Sequence, residues 1–357
     1  MMERSYDVII VGASFAGLSV ARQLRGQVLL LDRNEIGAVQ TSACGTPLWI
    51  PQALGSEESV LQVHTRAVVH TPTRTVTFDL SDAPYCTFDY RTFCRGLLAQ
   101  SRVRFLRAAV KGYQGERVET TEGWFATPMI VDCSGWRGVL GRGGTGSDAD
   151  ERGMSFGLET ETAYQGEALY FWAKPERYRE GIAWLFPVGS GSRVGLGSYS
   201  GMTKLRGPLE RFVNDLSAAP TFYHGTFFPS GLRRATMGQV FAVGDAAGHC
   251  LPLTAEGIRP ALFFGQECGR VIQRVLDGAL TREQGLEEYH RRVDRYRWAY
   301  RFLRLAQWGV THVPQRWLGL MAELGARPSL MARWWQRYSG FGRLSPVTGR
   351  LEVRRVR

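Results

Sequence analysis

At 357 residues, with 44% hydrophobic and 22% charged residues, the chain has the bulk of one large soluble domain or two interlocked ones. No stretch reaches the ~18 uninterrupted apolar residues of a membrane span, so a cytoplasmic protein is the default expectation. The net charge of +11 is almost all arginine, since Lys111, Lys174 and Lys204 are the only lysines; it fits genome composition, an anionic substrate or an acidic lipid surface better than nucleic acid, for which no binding motif is present.

The first predicted element is the apolar run YDVIIV, the pattern of a strand buried on both faces. A glycine turn follows, Gly12-Ala-Ser14-Phe15-Ala16-Gly17, and then a helix with Leu18, Ala21 and Leu24 on one face. A second strand, QVLLLD, ends in Asp32, about twenty residues after Gly12, and is followed by Arg33. Strand, glycine turn, helix, strand and terminal acid make up a dinucleotide-binding fingerprint. Backbone amides at the helix start would meet a pyrophosphate, and Asp32 the ribose hydroxyls. Ser14 takes the place of the middle glycine.

Further along come a loop, TSACGTP, and the hairpin pattern AVVHTPTRTVTFDL. A helix is predicted in FDYRTFCRGLLAQ and a strand and loop in MIVDCSGWRGVLG. Alternating runs fill 151–232, including the glycine hairpin GIAWLFPVGSGSRVGLGSY, with one helix near KLRGPLERFVNDL. VFAVGD then reads as another buried strand whose Gly244-Asp245 faces a ligand at the carboxyl edge of the sheet. The loop LPLTAEGI enters a long helix, whose start at Gly257 and Ile258 offers free amides and a positive dipole end. These features suit the ribityl chain and the N1–O2 edge of a flavin, which selects FAD over NAD. From about 281 the chain reads helical, with interleaved aromatic and arginine residues in YRWAYRFLRLAQWGV and LMARWWQRYSGF, and the tail LEVRRVR reads as frayed. The six cysteines and six histidines are scattered and form no metal-ligand spacing, so no metal is assigned.

In order and register these motifs resemble the FAD-dependent family that includes aromatic-ring hydroxylases and geranylgeranyl reductases. The resemblance spans roughly residues 5–280. It implies an α/β fold: a Rossmann-type FAD domain with a parallel sheet (1–60, 88–150 and 236–285), an interleaved antiparallel substrate domain (61–87 and 151–235) and a C-terminal helical region (286–357). It places Arg91 on the FAD pyrophosphate. GIAWLFP resembles the reductases' Y-x-W-x-F-P motif, with Trp184, Phe186 and Pro187 in place and Ile182 where the tyrosine would be. The Cys44-Gly45 loop resembles their Cys-Gly loop beside the flavin, which implies that Cys44 holds an alkene or passes it a proton. The loop at 132–141 also looks reductase-like, and no lysine precedes Lys111 to carry halogen as flavin halogenases require.

The activity so implied is hydride transfer from reduced flavin to C=C bonds of an isoprenoid or similar apolar substrate, with or without an anionic head. The external reductant would be NADPH or a reduced electron carrier. Two alternatives stay open: an FAD monooxygenase acting on an aromatic or quinone-like compound, and a non-catalytic flavoprotein that binds lipid or carries electrons. Peripheral contact with a membrane is a further partner reading.

Overall fold

The computed structural model describes residues 4–141, 153–173, 181–327 and 342–344. Its eight helices are α1 (Phe15–Ala21), α2 (Trp49–Leu54), α3 (Tyr90–Ala99), α4 (Arg206–Asp215), α5 (Ile258–Leu276), α6 (Arg282–Asp294), α7 (Arg297–His312) and α8 (Gln315–Gly325), counted among the described residues. The expected segments LMARWWQRYSGF and LEVRRVR lie outside the described residues.

A six-stranded sheet forms the centre, in the order 236–237, 240–242, 129–132, 8–11, 28–32, 104–107. Every pairing but the first is parallel. The run VIIV has no polar alternation because both its faces are covered. Val8 and Ile10 pack with α1, α3 and α5 in one core, and Ile9 and Val11 with Val118 and Phe125 in another. Those last two belong to an antiparallel meander (110–114, 117–120, 123–126), an element the sequence pattern did not announce.

A seven-stranded sheet stands beside it, in the order 223–229, 154–162, 192–198, 181–187, 169–173, 66–70, 75–79. It departs from the expected antiparallel pattern at one seam, where Arg66–His70 runs parallel to Leu169–Ala173. The chain leaves this sheet after the 66–79 hairpin, re-enters it at Met154 and only then reaches Leu169, a long crossover of the kind a parallel pairing needs. In Gly181–Pro187 the burial alternates: Ala183 and Leu185 pack with Leu209 and Val213 of α4, while Ile182, Trp184 and Phe186 face the other way. A three-stranded sheet of Gly45–Pro47, Val60–His64 and Tyr85–Phe88 bridges the two larger ones. The expected strand VFAVGD is shorter than its apolar run. It ends at Ala242, and Gly244–Ala247 turns as a 3-10 helix, with Gly244 at φ +69°.

Candidate functional site

One continuous cavity of about 1940 Å³ runs from the carboxyl edge of the parallel sheet to the face of the seven-stranded sheet. At its first end lie Gly12, Ser14, Asp32 and Arg33; in the middle, Gly244, Asp245, Gly257 and Ile258; at the far end, the aromatic sheet face.

The glycine turn is built by close approach. Gly12 has φ +105°, and a Cβ there would fall 2.2 Å from the Cys133 carbonyl oxygen, so no other residue fits. Asp32 braces the turn: its carboxylate accepts from Ala13 N and Asn34 N, both at 2.8 Å. Ser14 accepts a hydrogen bond from the Tyr90 hydroxyl at 2.9 Å, leaving its own O–H to donate into the cavity. Neither α1 nor α5 has a side-chain cap, and both N-cap residues, Ser14 and Gly257, lie on the cavity wall. Their first amides are therefore open to an anion.

The loop before α5 is held from three sides. Glu256 meets the fully buried Arg259 through two parallel bonds of 2.7 Å, Tyr199 donates to the Leu253 carbonyl at 2.6 Å, and Leu253 N donates to Gln307 at 2.8 Å. Leu253 and Ala255 adopt left-handed φ of +69° and +52°, costly for such residues unless the surroundings impose it. Both line the cavity. Burial pushes the Asp245 carboxyl up to about 6, against the opposing pull of Arg233. His249 accepts from Gly244 N at 3.1 Å, and burial pushes it down to about 3, so it is neutral. A dinucleotide with a flavin fits this donor set: one uncapped helix start for the phosphates, a second for the flavin edge, two carboxylates for the polyol hydroxyls and an apolar space beyond.

At the far end Ile182, Trp184, Phe171, Phe186, Phe227 and Phe228 form the wall. The Trp184 indole donates to Glu159 Oε2 at 2.7 Å, and the other oxygen of Glu159 lies 3.2 Å from His224 Nε2. His224 Nδ1 is buried without a partner. Glu159 and His224 sit directly across from each other in adjacent strands, and both reach the cavity. Arg193, only 4% exposed, donates to the carbonyls of Ala43 and Phe88 at 3.2 and 3.1 Å and pairs with Glu161, fastening the Cys44 loop to the seven-stranded sheet.

Most of the expected site residues meet in this cavity, including Phe15, Ala16 and Gly45; four do not line it. Gly17 packs against the Gly12 carbonyl behind the turn. Arg91 is exposed at the start of α3, with its α-carbon against Gly37. Pro187 is buried, and its carbonyl accepts from Thr87 at 2.5 Å. Cys44 is fully buried in the core, its thiol donating to the Ser42 carbonyl at 3.3 Å while Ser42, Ala43 and Gly45 form the wall around it. Burial pushes its thiol far up, and Arg193 only partly offsets this. The loop, with Cys44 at φ 52°, turns this side chain inward, behind the wall rather than on it. Tyr90, Glu159, Arg193, His224 and Arg259 were missed. For Arg193 and Arg259 the available signal was a charged residue in an otherwise apolar strand or helix start, as in SRVGLG and GIRPALF.

No family model matches the chain. It is 30% identical to a digeranylgeranylglycerophospholipid reductase of Methanococcus vannielii over 122 residues, which are 32% of this chain and 31% of that one. It is 32% identical to the protein of that name in Methanocaldococcus jannaschii over 121 residues, 31% of each. The match thus spans about a third of the length of these curated relatives. In three dimensions the chain superposes on a geranylgeranyl bacteriochlorophyll reductase-like protein of Thermoplasma acidophilum with a TM-score of 0.80 and 16% identity, covering 95% of this chain and 98% of that one. PqsL of Pseudomonas aeruginosa, solved with 2-aminobenzoylacetate, gives 0.66 at 16% identity over 86% and 99%. The myxobacterial chondrochloren halogenase CndH, a variant of the FAD-dependent halogenases, gives 0.67 at 17% identity over 96% and 91%. The fold is therefore the one these flavoproteins share, and the local sequence likeness is to the reductases.

Proposed function

We propose that the protein is an FAD-dependent reductase that saturates C=C bonds in an isoprenoid or similarly long, apolar substrate, drawing electrons from NADPH or a reduced carrier. The observation that carries this reading is the unbroken passage from the dinucleotide crevice at Gly12 and Asp245 into a chamber walled by Trp184, Phe186, Phe171 and Phe228. The sequence likeness to two lipid reductases supports the substrate class.

When bound, FAD supplies the hydride chemistry. The other tasks fall to the chain. Asp32 and Asp245 would accept from the ribose and ribityl hydroxyls, and the open amides at Ser14 and Gly257 would hold phosphate and the flavin edge. The aromatic wall would align the alkene and keep water out. Adding hydride to one alkene carbon leaves the other in need of a proton. Cys44 is protonated but enclosed. The Glu159–His224 pair lies on the wall itself, and we assign the proton to His224 Nε2, with Glu159 orienting the ring.

The direct test is anaerobic incubation of the dithionite-reduced holoprotein with a geranylgeranyl phospholipid, followed by mass spectrometry. Each saturated bond adds two hydrogens. A product hydroxylated in air, with no anaerobic turnover, transfers the assignment to the monooxygenase reading. Reduced protein that passes electrons on but alters no lipid leaves the carrier reading.

A further inference from the structure

The described surface is unusual along α7 and α8. Trp298, Phe302, Leu305 and Trp308 of α7, and Trp317 and Met321 of α8, are between 49% and 76% exposed. On α7 the first three follow the i, i+4, i+7 spacing of a single stripe. The opposite side of the helix is anchored: Tyr300, 2% exposed, donates to the His249 carbonyl at 2.5 Å, and the side chain of Gln307 accepts from Leu253 N. The outward apolar stripe therefore belongs to a fixed helix. α8 is anchored as well, with Gly319 against Thr71 and Thr73 and an ion pair between Glu323 and Arg74.

Charge selects what covers this stripe. The sequence of α7, RWAYRFLRLAQWGVTH, contains no acidic residue. Arg297, Arg301 and Arg304 fall along one flank of the stripe and are exposed. The Arg301 guanidinium lies 5.1 Å from the centre of the Trp298 ring, and that of Arg316 lies 6.0 Å from Trp317. Arginine beside tryptophan at the edge of an apolar face is suited to a boundary between anionic headgroups and acyl chains. A second copy of this chain would set arginine rows against each other. The same helices also wall the cavity, through Val310 and Gly325.

We infer that the outer face of α7 and α8 is a docking surface for an anionic lipid bilayer, on which the protein lies peripherally with Trp298 and Phe302 inserted and Arg301 and Arg304 at the headgroups. None of the helices among the described residues is long and apolar enough to cross a membrane, so the contact is one of surface insertion. The inference rests on this surface alone and does not depend on the reductase reading.

The test is flotation of the full-length holoprotein with phosphatidylcholine vesicles, with and without phosphatidylglycerol. The expected result is flotation with phosphatidylglycerol vesicles, weakened by salt. A Trp298→Ser, Phe302→Ser variant should partition about tenfold or more less well, because each large apolar side chain is worth more than a factor of ten when buried. An Arg301→Glu, Arg304→Glu variant should lose about tenfold or more as well. All four sites are exposed, so circular dichroism should stay unchanged. Wild-type protein left behind by the vesicles, or variants that float as well as wild type, overturns the inference. So does sedimentation showing a dimer that the Trp298, Phe302 variant dissociates while nothing floats, since the face would then join two copies.

Discussion

The indole of Trp184 lies on the bare α-carbon of Gly195: a Cβ at that position would fall 2.1 Å from the ring. The two residues face each other across adjacent antiparallel strands, and Gly157 and Gly197 widen the same trough. Small residues in three positions let a bulky one lie flat and reach Glu159 with its N–H. The glycine-rich hairpin thus shapes the chamber wall as well as turning the chain.

Gly195→Ala should displace the Trp184 ring and its hydrogen bond. Overpacking of this kind costs about 1–3 kcal/mol, readable in urea denaturation. FAD content should not change, since the crevice lies at the other end of the cavity, while turnover of a lipid alkene should fall by roughly 10²-fold through misplacement. Wild-type turnover in this variant would mean that the Trp184 face does not position substrate.

Asp32 has two tasks. Its carboxylate already accepts from Ala13 N and Asn34 N, so removing it should disturb the glycine turn even in protein stripped of cofactor. Asp32→Ala is expected to cost about 1–3 kcal/mol of stability, because two backbone donors lose their partner. Absorbance of the purified protein should also show FAD loss. If FAD is lost with no change in the stability of stripped protein, the bracing role is incorrect.

Wherever a pattern is local and periodic, the sequence announced it. The buried strand at 8–11, the turn at Gly12, the alternation of Ala183 and Leu185 against Trp184 and Phe186, and the entry to α5 can all be read from short windows. Pairings between distant segments could not be read this way. Glu159 and His224 are 65 residues apart and meet only through strand register. Arg193 reaches Ala43 and Phe88 across the join between two sheets, and no window contains that join. Cys44 was legible as a residue at the site but not in its direction, which depends on one left-handed φ. The meander at 110–126 was missed because its short strands alternate weakly.

The choice of proton donor can be tested by comparing two sites. His224→Phe keeps an aromatic ring on the wall but removes Nε2, the nitrogen facing Glu159; alkene turnover should fall by about 10²–10⁴-fold while FAD stays bound and NADPH or dithionite still reduces it. Glu159→Gln should give a smaller loss, and Cys44→Ser should lie within a few-fold of wild type. All six cysteines are buried, so the native protein should also resist Ellman's reagent until it is unfolded. If Cys44→Ser slows turnover as much as His224→Phe, the loop must open during catalysis and the thiol returns as the donor.

Asp245 should make the stripped protein pH-sensitive. Its folded carboxyl is raised to about 6 by burial, above the ordinary carboxylate value of 3.8. A raised pKa means that the folded chain holds this proton more tightly than the unfolded chain. The resulting stabilisation is complete below the ordinary carboxylate range and is lost as pH rises through about 6. Above that, the folded protein carries a half-buried carboxylate, with the Arg233 guanidinium as counter-charge. Asp245→Asn removes the titration, so urea denaturation of stripped protein should show the variant gaining on wild type as pH rises through this window and running parallel to it beyond. Bound FAD should act the other way. Hydroxyls that donate to the carboxylate favour its ionised form, so FAD should bind wild type more weakly as pH falls through about 6, with little such change in the variant. If the stability difference between wild type and Asp245→Asn is flat across this range, the carboxyl is better solvated than its position on the cavity wall implies.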